Sequence, residues 1–132
     1  KRLVDCGLIT ANNPNEMLRH ARDWFEDYHQ ALVVIERPQV YQQRLMKGDA
    51  NDLITIALIA GFVASFFQDP SFVLPRDWKG SVAKDVMTRR IQERWMNEQE
   101  RTLLNMQRIP KSYLHNTIDA IGVGMHHLGR HR

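Results

Sequence analysis

The sequence predicts an α/β layered domain, and three observations carry that reading. The first is Ala31-Leu-Val-Val-Ile-Glu-Arg-Pro38, an apolar, mostly β-branched run that stops at one carboxylate. Such a run reads as a strand covered on both faces. The second is a helix with a legible start, Asn13-Pro14-Asn15-Glu16, placed before that run. The third is the order along the chain: strand, helix, strand, helix, strand, long helix, helix.

The chain has 132 residues, enough for a single domain, 1–132, with one core. The net charge of +3 permits nucleic acid without demanding it. A single cysteine, Cys6, excludes a disulfide framework and a Cys-based zinc site and fits a reducing compartment. The longest apolar run, Leu53 to Phe67, falls short of the roughly 20 residues that span a bilayer, so no membrane role is expected. No signal peptide is visible, and the chain starts on Lys rather than Met, as a cut edge would.

Arg2 to Thr10 reads as a short strand. Asn13 then offers an N-cap, Pro14 suits the first helical position and Glu16 sits where a capping box wants it. Met17, Leu18, Ala21, Trp24, Phe25 and Tyr28 recur at helical spacing, a stripe that packs on a sheet. The Ala31–Pro38 run follows. Pro38 cannot donate to a ladder and ends the strand. Glu36 is thereby left at the carboxyl edge of a central strand, where open α/β sheets place ligands. Read alone, the segment fits equally a strand that ends at a solvated Glu.

Gln39 to Lys47 is a polar loop holding one aromatic, Tyr41. Asp49 and Asp52 are tempting metal ligands, but they read better as an N-cap and an acidic first-turn residue. Leu53 to Phe67 is apolar nearly all round, which predicts a helix buried on more than one side, between the sheet and a second subunit. Ser71 to Pro75 is a short strand, and Arg76 to Gly80 the loop that leaves it. Ser81 is expected to cap a long helix running to about Gln107. Lys84, Arg89, Arg90, Arg94 and Arg101 mark its polar face, broken by Glu93, Glu98 and Glu100, ordinarily a solvated pattern.

Pro110 ends that region. The last helix runs from about Ser112 to Leu128, with Gly129 at C′. Leu114, Ile118, Ile121, Met125 and Leu128 form its core stripe. A second line holds His115, Asp119, Gly122 and His126, and Asn116 lies three residues before Asp119. One carboxylate beside a His or Asn, with Gly122 and Gly124 allowing close approach, can serve a metal. The plainer alternative is an Asp on the wet side of an amphipathic helix.

Four pieces, taken in order, resemble a known family. They are Val33-Val-Ile-Glu-Arg-Pro38; Asn51-Asp-Leu53 with Ala57 and Gly61; Pro75-Arg-Asp-Trp-Lys-Gly80 with Lys84; and His115-Asn-Thr-Ile-Asp-Ala-Ile-Gly-Val-Gly124. The pattern is similar to RuvC-type Holliday-junction resolvases of the phage type, within the RNase H-like nucleases. It spans Leu3 to about Gly129. No single piece is specific; the order, and two acids at the expected strand and helix, carry the resemblance.

The resemblance implies an RNase H-like mixed sheet flanked by helices, with acidic or His/Asn positions holding two Mg²⁺ or Mn²⁺ ions. Glu36 matches the strand glutamate and Asp119 the aspartate of the last helix. The helix co-ligand falls on Asn116 or His115. Asn offers a neutral oxygen suited to a hard ion, and His suits Mn²⁺ better than Mg²⁺. The front of the chain departs from the family, which opens with a strand ending in Asp-x-Gly and then adds two more. Here Leu3 to Thr10 leads straight into the first helix. The fold is therefore expected to be N-terminally incomplete, with the first hairpin upstream of Lys1. Asp5-Cys-Gly7 is not read as its substitute, and the chain as given is expected to be catalytically silent.

Phosphodiester hydrolysis needs an activated water and a stabilised leaving oxygen, and two hard cations held by carboxylates supply both. Lys79 and Lys84 match basic positions used near the scissile phosphate, and Lys79 joins Glu36 and Asp119 in the implied catalytic set. Tyr41 falls where the family carries an aromatic that stacks at the opened junction. Arg37, Arg89 and Arg90 are expected to meet phosphates by charge. A four-way DNA junction has two-fold symmetry, so a homodimer suits it, with the Leu53–Phe67 helix as interface. The expected function is metal-dependent resolution of branched DNA by paired nicks, in the cytoplasm of a bacterial or phage-infected cell. The alternatives are another RNase H-like nuclease acting on flaps or forks, and a catalytically inactive or truncated DNA-binding relative. A zinc protein built on His115, His126, His127 and His131 is disfavoured, since no Cys or carboxylate joins them at finger spacing.

Overall fold

A computed structural model describes residues 2–40 and 49–131. The chain divides into two compact units, one of Ile9–Pro75 and one of Lys1–Leu8 with Arg76–Arg132. It is mostly helical, with a two-stranded parallel sheet.

In the Ile9–Pro75 unit, α1 (Pro14–Phe25) starts as its residues dictate. The Asn13 side chain accepts from the Glu16 N–H at 2.9 Å. The Glu16 carboxylate reaches back to the Asn12 N–H at 2.7 Å, one residue earlier than a standard capping box. Ala21 is the buried centre of the predicted stripe, while Trp24 and Tyr28 lie about half exposed. A 3₁₀ turn (Glu26–Tyr28) leads to β1 (Val34–Glu36). After the undescribed stretch comes α2 (Ala50–Ala64), with Asp49 as N-cap accepting from the Asn51 N–H, and Asp52 in the first turn. The capping reading of both aspartates therefore holds.

β1 pairs in parallel with β2 (Ser71–Val73), in register Val34↔Ser71, Ile35↔Phe72 and Glu36↔Val73. The ladder extends through Ser71 N–H to Val33 O and Arg37 N–H to Val73 O. A β-α-β connection of this kind is what parallel pairing requires. The expected strand over Ala31–Pro38 is shorter than its apolar run. Its residues are half-buried rather than covered on both faces, and Leu32 is 79% exposed. β1 and β2 are the only strands among the described residues, so the sheet has no interior position. α2 also departs from expectation. It packs against α1, yet Ile54, Ile56 and Leu58 stay 53–67% exposed. One neighbouring helix cannot cover a surface that is apolar all round.

Residues 2–10 form no strand, against the expectation, and residues 2–8 belong to the other unit. The Leu3 N–H goes instead to Glu100 Oε1 at 2.7 Å, so this backbone finds a side chain rather than a ladder. Arg76 to Gly80 is not a loop: α3 (Pro75–Lys79) is helical, ended by Gly80 at φ 61°. The single long helix from Ser81 to Gln107 is replaced by three pieces. These are α4 (Lys84–Arg90) with Ala83 at its N-cap, a π turn (Ile91–Trp95), and α5 (Glu98–Met106). Met96 turns extended, and Asn97 with Glu100 forms a capping box. Arg101 Nη1 donates to the carbonyls of Gln92 (3.0 Å) and Met96 (2.6 Å), which the broken helix leaves open.

α6 (Lys111–His127) matches the predicted last helix, and it packs on the π turn. Ile118, Ile121 and Met125 are buried as expected, whereas Leu128 is 41% exposed. Gly129, at φ 72°, sits in a Schellman turn: its N–H bonds to His126 O, and the Arg130 N–H bonds to Met125 O. The core of this unit is Trp78, Met87, Ile91, Trp95, Met96 and Leu104 with the buried face of α6.

Candidate functional site

The site is built from the close packing of α3 and α4 on α6. Gly122 makes this possible. A Cβ placed there would lie 2.5 Å from Ile91 Cδ1 and 2.8 Å from Trp78 Cζ3. Ile91 and Trp78 are both buried, so neither can give way easily. The close approach read from Gly122 is thus real, whereas a Cβ at Gly124 would meet nothing within 4 Å.

Trp78, held in that way, carries its neighbour Lys79 to Asp119, one turn before Gly122. Lys79 Nζ lies 3.8 Å from Asp119 Oδ2, with side chains 23% and 20% exposed. The same ammonium sits 4.9 Å from the centroid of the Trp78 ring, within cation–π range. Asn116 and His115 are three and four residues before Asp119 on α6. Asn116 is exposed and His115 half-buried. A carboxylate and an amide oxygen one turn apart are donors of the class a hard cation takes, while the group that stands against Asp119 is the Lys79 ammonium.

An open groove of about 750 Å³ runs beside α4 and is lined by Lys84, Asp85, Thr88, Arg89, Gln92, Glu93 and His115. Lys84 and Arg89 are exposed, and Arg90 is half-buried. Its polar walls come from one face of α4 and the π turn, met by His115 from α6. π turns recur at functional sites because they re-aim side chains.

Glu36 is the last residue of β1 and half-buried, at the carboxyl end of its strand as expected. It belongs to the Ile9–Pro75 unit, while Lys79, Lys84, Arg89, Arg90, His115, Asn116 and Asp119 belong to the other. Arg37 follows β1 and is exposed. Tyr41 lies outside the described residues. Asp5 is exposed and accepts from the Cys6 N–H at 2.8 Å. Burial, with Asp5 beside it, pushes the Cys6 thiol up.

Sequence reasoning missed Trp78, the residue that seats Lys79, and the groove residues Thr88 and Gln92. A signal for the groove exists: Lys84, Thr88 and Gln92 follow at successive i+4 steps on one helix face. Among the described residues, no group of three or more His, Cys, Asp and Glu gathers as a ready ligand set. His126 and His131 do meet, with ring centroids 4.3 Å apart, and Trp95 lies 6.0 Å from His131.

No protein-family model matches the chain, and neither does any curated protein or any solved structure. Among the described residues, no helix is long and apolar enough to cross a membrane.

Proposed function

We propose that this chain has the RNase H-like, RuvC-type make-up of enzymes that recognise four-way DNA junctions and resolve them by metal-dependent paired nicks, with these 132 residues alone expected to be catalytically silent. The observation that supports it most is Lys79 beside Asp119 on α6, close in sequence to a groove bearing Lys84, Arg89 and His115. A carboxylate next to a positioned ammonium and a basic track is what phosphodiester chemistry needs in one place.

In this reading Glu36, Asp119 and Asn116 or His115 are the side chains that would hold Mg²⁺ or Mn²⁺. When bound, two such ions supply an activated water and a stabilised leaving oxygen. Lys79 offers its ammonium to a phosphoryl oxygen, where charge accumulates. Lys84, Arg89, Arg90 and Arg37 hold neighbouring phosphates by charge, and Tyr41 stacks on an unpaired base, worth about 1–3 kcal/mol. The exposed apolar residues of α2 support a homodimer, whose two-fold axis would match that of the junction. A cytoplasmic site of action follows from this function.

The alternative is a catalytically inactive or truncated relative that binds junctions without cutting. Its support is the front of the chain, where Asp5 is exposed on a segment that joins no sheet. One experiment separates the two. Wild type, Glu36→Gln and Asp119→Asn are tested for binding and nicking of a four-way junction and a linear duplex, in Mg²⁺ and in Mn²⁺. Paired nicks by the wild type that both variants lose decide for the nuclease. Junction-selective binding without nicks decides for the silent relative. A chain that does not prefer the junction overturns both.

A further inference from the structure

We infer that His126, packed against His131, is a proton-operated latch: when His126 takes up a proton, the tail beyond Gly129 swings out, Arg130 leaves Glu100, and the N-terminal strap of residues 2–8 comes free. His126 lies in the last turn of α6 and His131 on the tail, with ring centroids 4.3 Å apart. The Nδ1 of each ring is buried without a hydrogen-bond partner. An imidazolium carries a proton on both nitrogens. Charging His126 therefore puts an N–H at its buried Nδ1 with no acceptor, against the His131 ring.

Among the described residues, the charges acting on His126 are His131, His127 on its own helix and Asp77 from α3, and Asp77 alone favours the proton. The π turn sets Trp95, a neutral ring, 6.0 Å from His131. Burial first, then His131 and His127, push His126 below 6.5. An open tail lets water reach the ring and restores its ordinary value. The latch is thus closed above pH 6.5, and closure is lost as pH falls below it.

His126 is fixed in α6, so the relief must come from the tail. His131 is one peptide unit from Arg130, and its departure draws on the Schellman turn and the guanidinium together. Glu100 Oε1 accepts from both Arg130 Nη1 and the Leu3 N–H. Without Arg130 that buried carboxylate is uncompensated and has to turn toward water. Its Oε2 can keep the Asn97 N–H, a bond within its own capping box, but Oε1 cannot keep Leu3. The next tie of the strap is weak, since Thr117 Oγ1 meets Gly7 O only at 3.5 Å.

The test is amide hydrogen exchange of the 132-residue chain by NMR at pH 7 and pH 5, corrected for the intrinsic rate at each pH. Protection of the Leu3 and Arg130 N–H groups is expected to fall together, by about tenfold, within the tenfold per pH unit that uptake of one proton allows. Ile121, in the buried face of α6, is expected to keep its protection. His126→Phe keeps a ring against His131 and is expected to hold both amides alike at the two pH values. Circular dichroism checks the fold, and His126→Gln replaces His126→Phe if the latter unfolds. Protection that does not change between pH 7 and pH 5, or that falls equally in the variant, overturns the latch. Loss at Ile121 equal to that at Leu3 means general unfolding and overturns it too. Loss at Arg130 with Leu3 still protected removes the coupling of tail to strap.

Discussion

Arg130 clasps Glu100 with both ends of its guanidinium: Nη1 lies 2.6 Å from Oε1, and Nη2 lies 2.9 Å from Oε2. The Schellman turn at Gly129 aims Arg130 back at α5, and Nη2 also donates to Trp95 O at 2.8 Å. Glu100, 2% exposed, accepts in addition from the Leu3 and Asn97 N–H groups. One carboxylate thus ties the N-terminal segment, the start of α5 and the tail after α6.

Removing one partner leaves the other buried and uncompensated. Arg130→Met is expected to destabilise this unit by about 3–5 kcal/mol. Urea unfolding followed by tryptophan fluorescence measures it. A change under about 1 kcal/mol would mean that water replaces the guanidinium at little cost.

The same pair shapes the dependence of stability on pH. Hydrogen bonds from Arg130 hold the Glu100 carboxyl at about 2, against an ordinary 4.5. A depressed carboxylate stabilises the fold above its unfolded value and loses that contribution as pH falls from 4.5 toward 2. His126 acts higher on the scale. Burial, then His131 and His127, push it below 6.5, with Asp77 opposing, and its buried Nδ1 has no partner. The fold favours neutral His126, so its contribution is present above pH 6.5 and declines as pH falls below that. Thermal melts from pH 8 to pH 2 should therefore fall in two stages. His126→Phe should remove the upper stage, and Glu100→Gln the lower one.

Gly122→Ala and Gly124→Ala should move stability in opposite directions. The first forces a methyl onto buried Ile91 and Trp78. Overpacking of this kind costs about 1–3 kcal/mol. The second meets nothing within 4 Å and gains roughly 0.5–1 kcal/mol of helix propensity. Chemical unfolding of both variants, with Trp78 fluorescence as a probe of its seat, is the measurement.

Much of this was legible because the signals were local. Asn13-Pro14 and Asp49 mark helix starts through their own side chains, and Gly129 marks a helix end through its φ. The break at Met96 also had a signature, Asn97 followed three residues later by Glu100, but it lay inside an unbroken helical charge pattern. The π turn before it has no local code; it follows from packing Ile91 against α6. The strand expected near Leu3 failed for a tertiary reason, since its N–H is taken by a carboxylate 97 residues away. Asp119 could be singled out by helical spacing. Its pairing with Lys79 could not, because that distance is set by how closely Trp78 approaches Gly122.

Self-association is the next expectation. Ile54 and Leu58 lie one turn apart on α2, 58% and 67% exposed. Leaving such residues in water forgoes about 25 cal/mol per Å² of apolar surface. Sedimentation equilibrium should give a dimer, and the double change Ile54→Glu with Leu58→Glu should give a monomer that keeps its circular dichroism spectrum. A wild-type chain that stays monomeric at every concentration the measurement reaches would remove α2 as an interface.

Charge in the α4 groove makes the last prediction, and it has a sign on each residue. Lys84 and Arg89 are exposed and line the same groove as Asp85 and Glu93. If phosphates lie there, each cation displaces condensed counter-ions from the DNA on binding. Lys84→Ala and Arg89→Ala should each weaken junction affinity, and each should lower the slope of log K against log[salt] by about 1. Asp85→Asn removes a charge that repels phosphate and should tighten binding, with the gain fading as salt rises. Fluorescence anisotropy on a labelled four-way junction, from 50 to about 200 mM salt, reads all three. Cation variants that keep the wild-type slope, with an Asp85→Asn variant that binds no tighter, would place the DNA away from α4 and return its mixed charge to an ordinary solvated face.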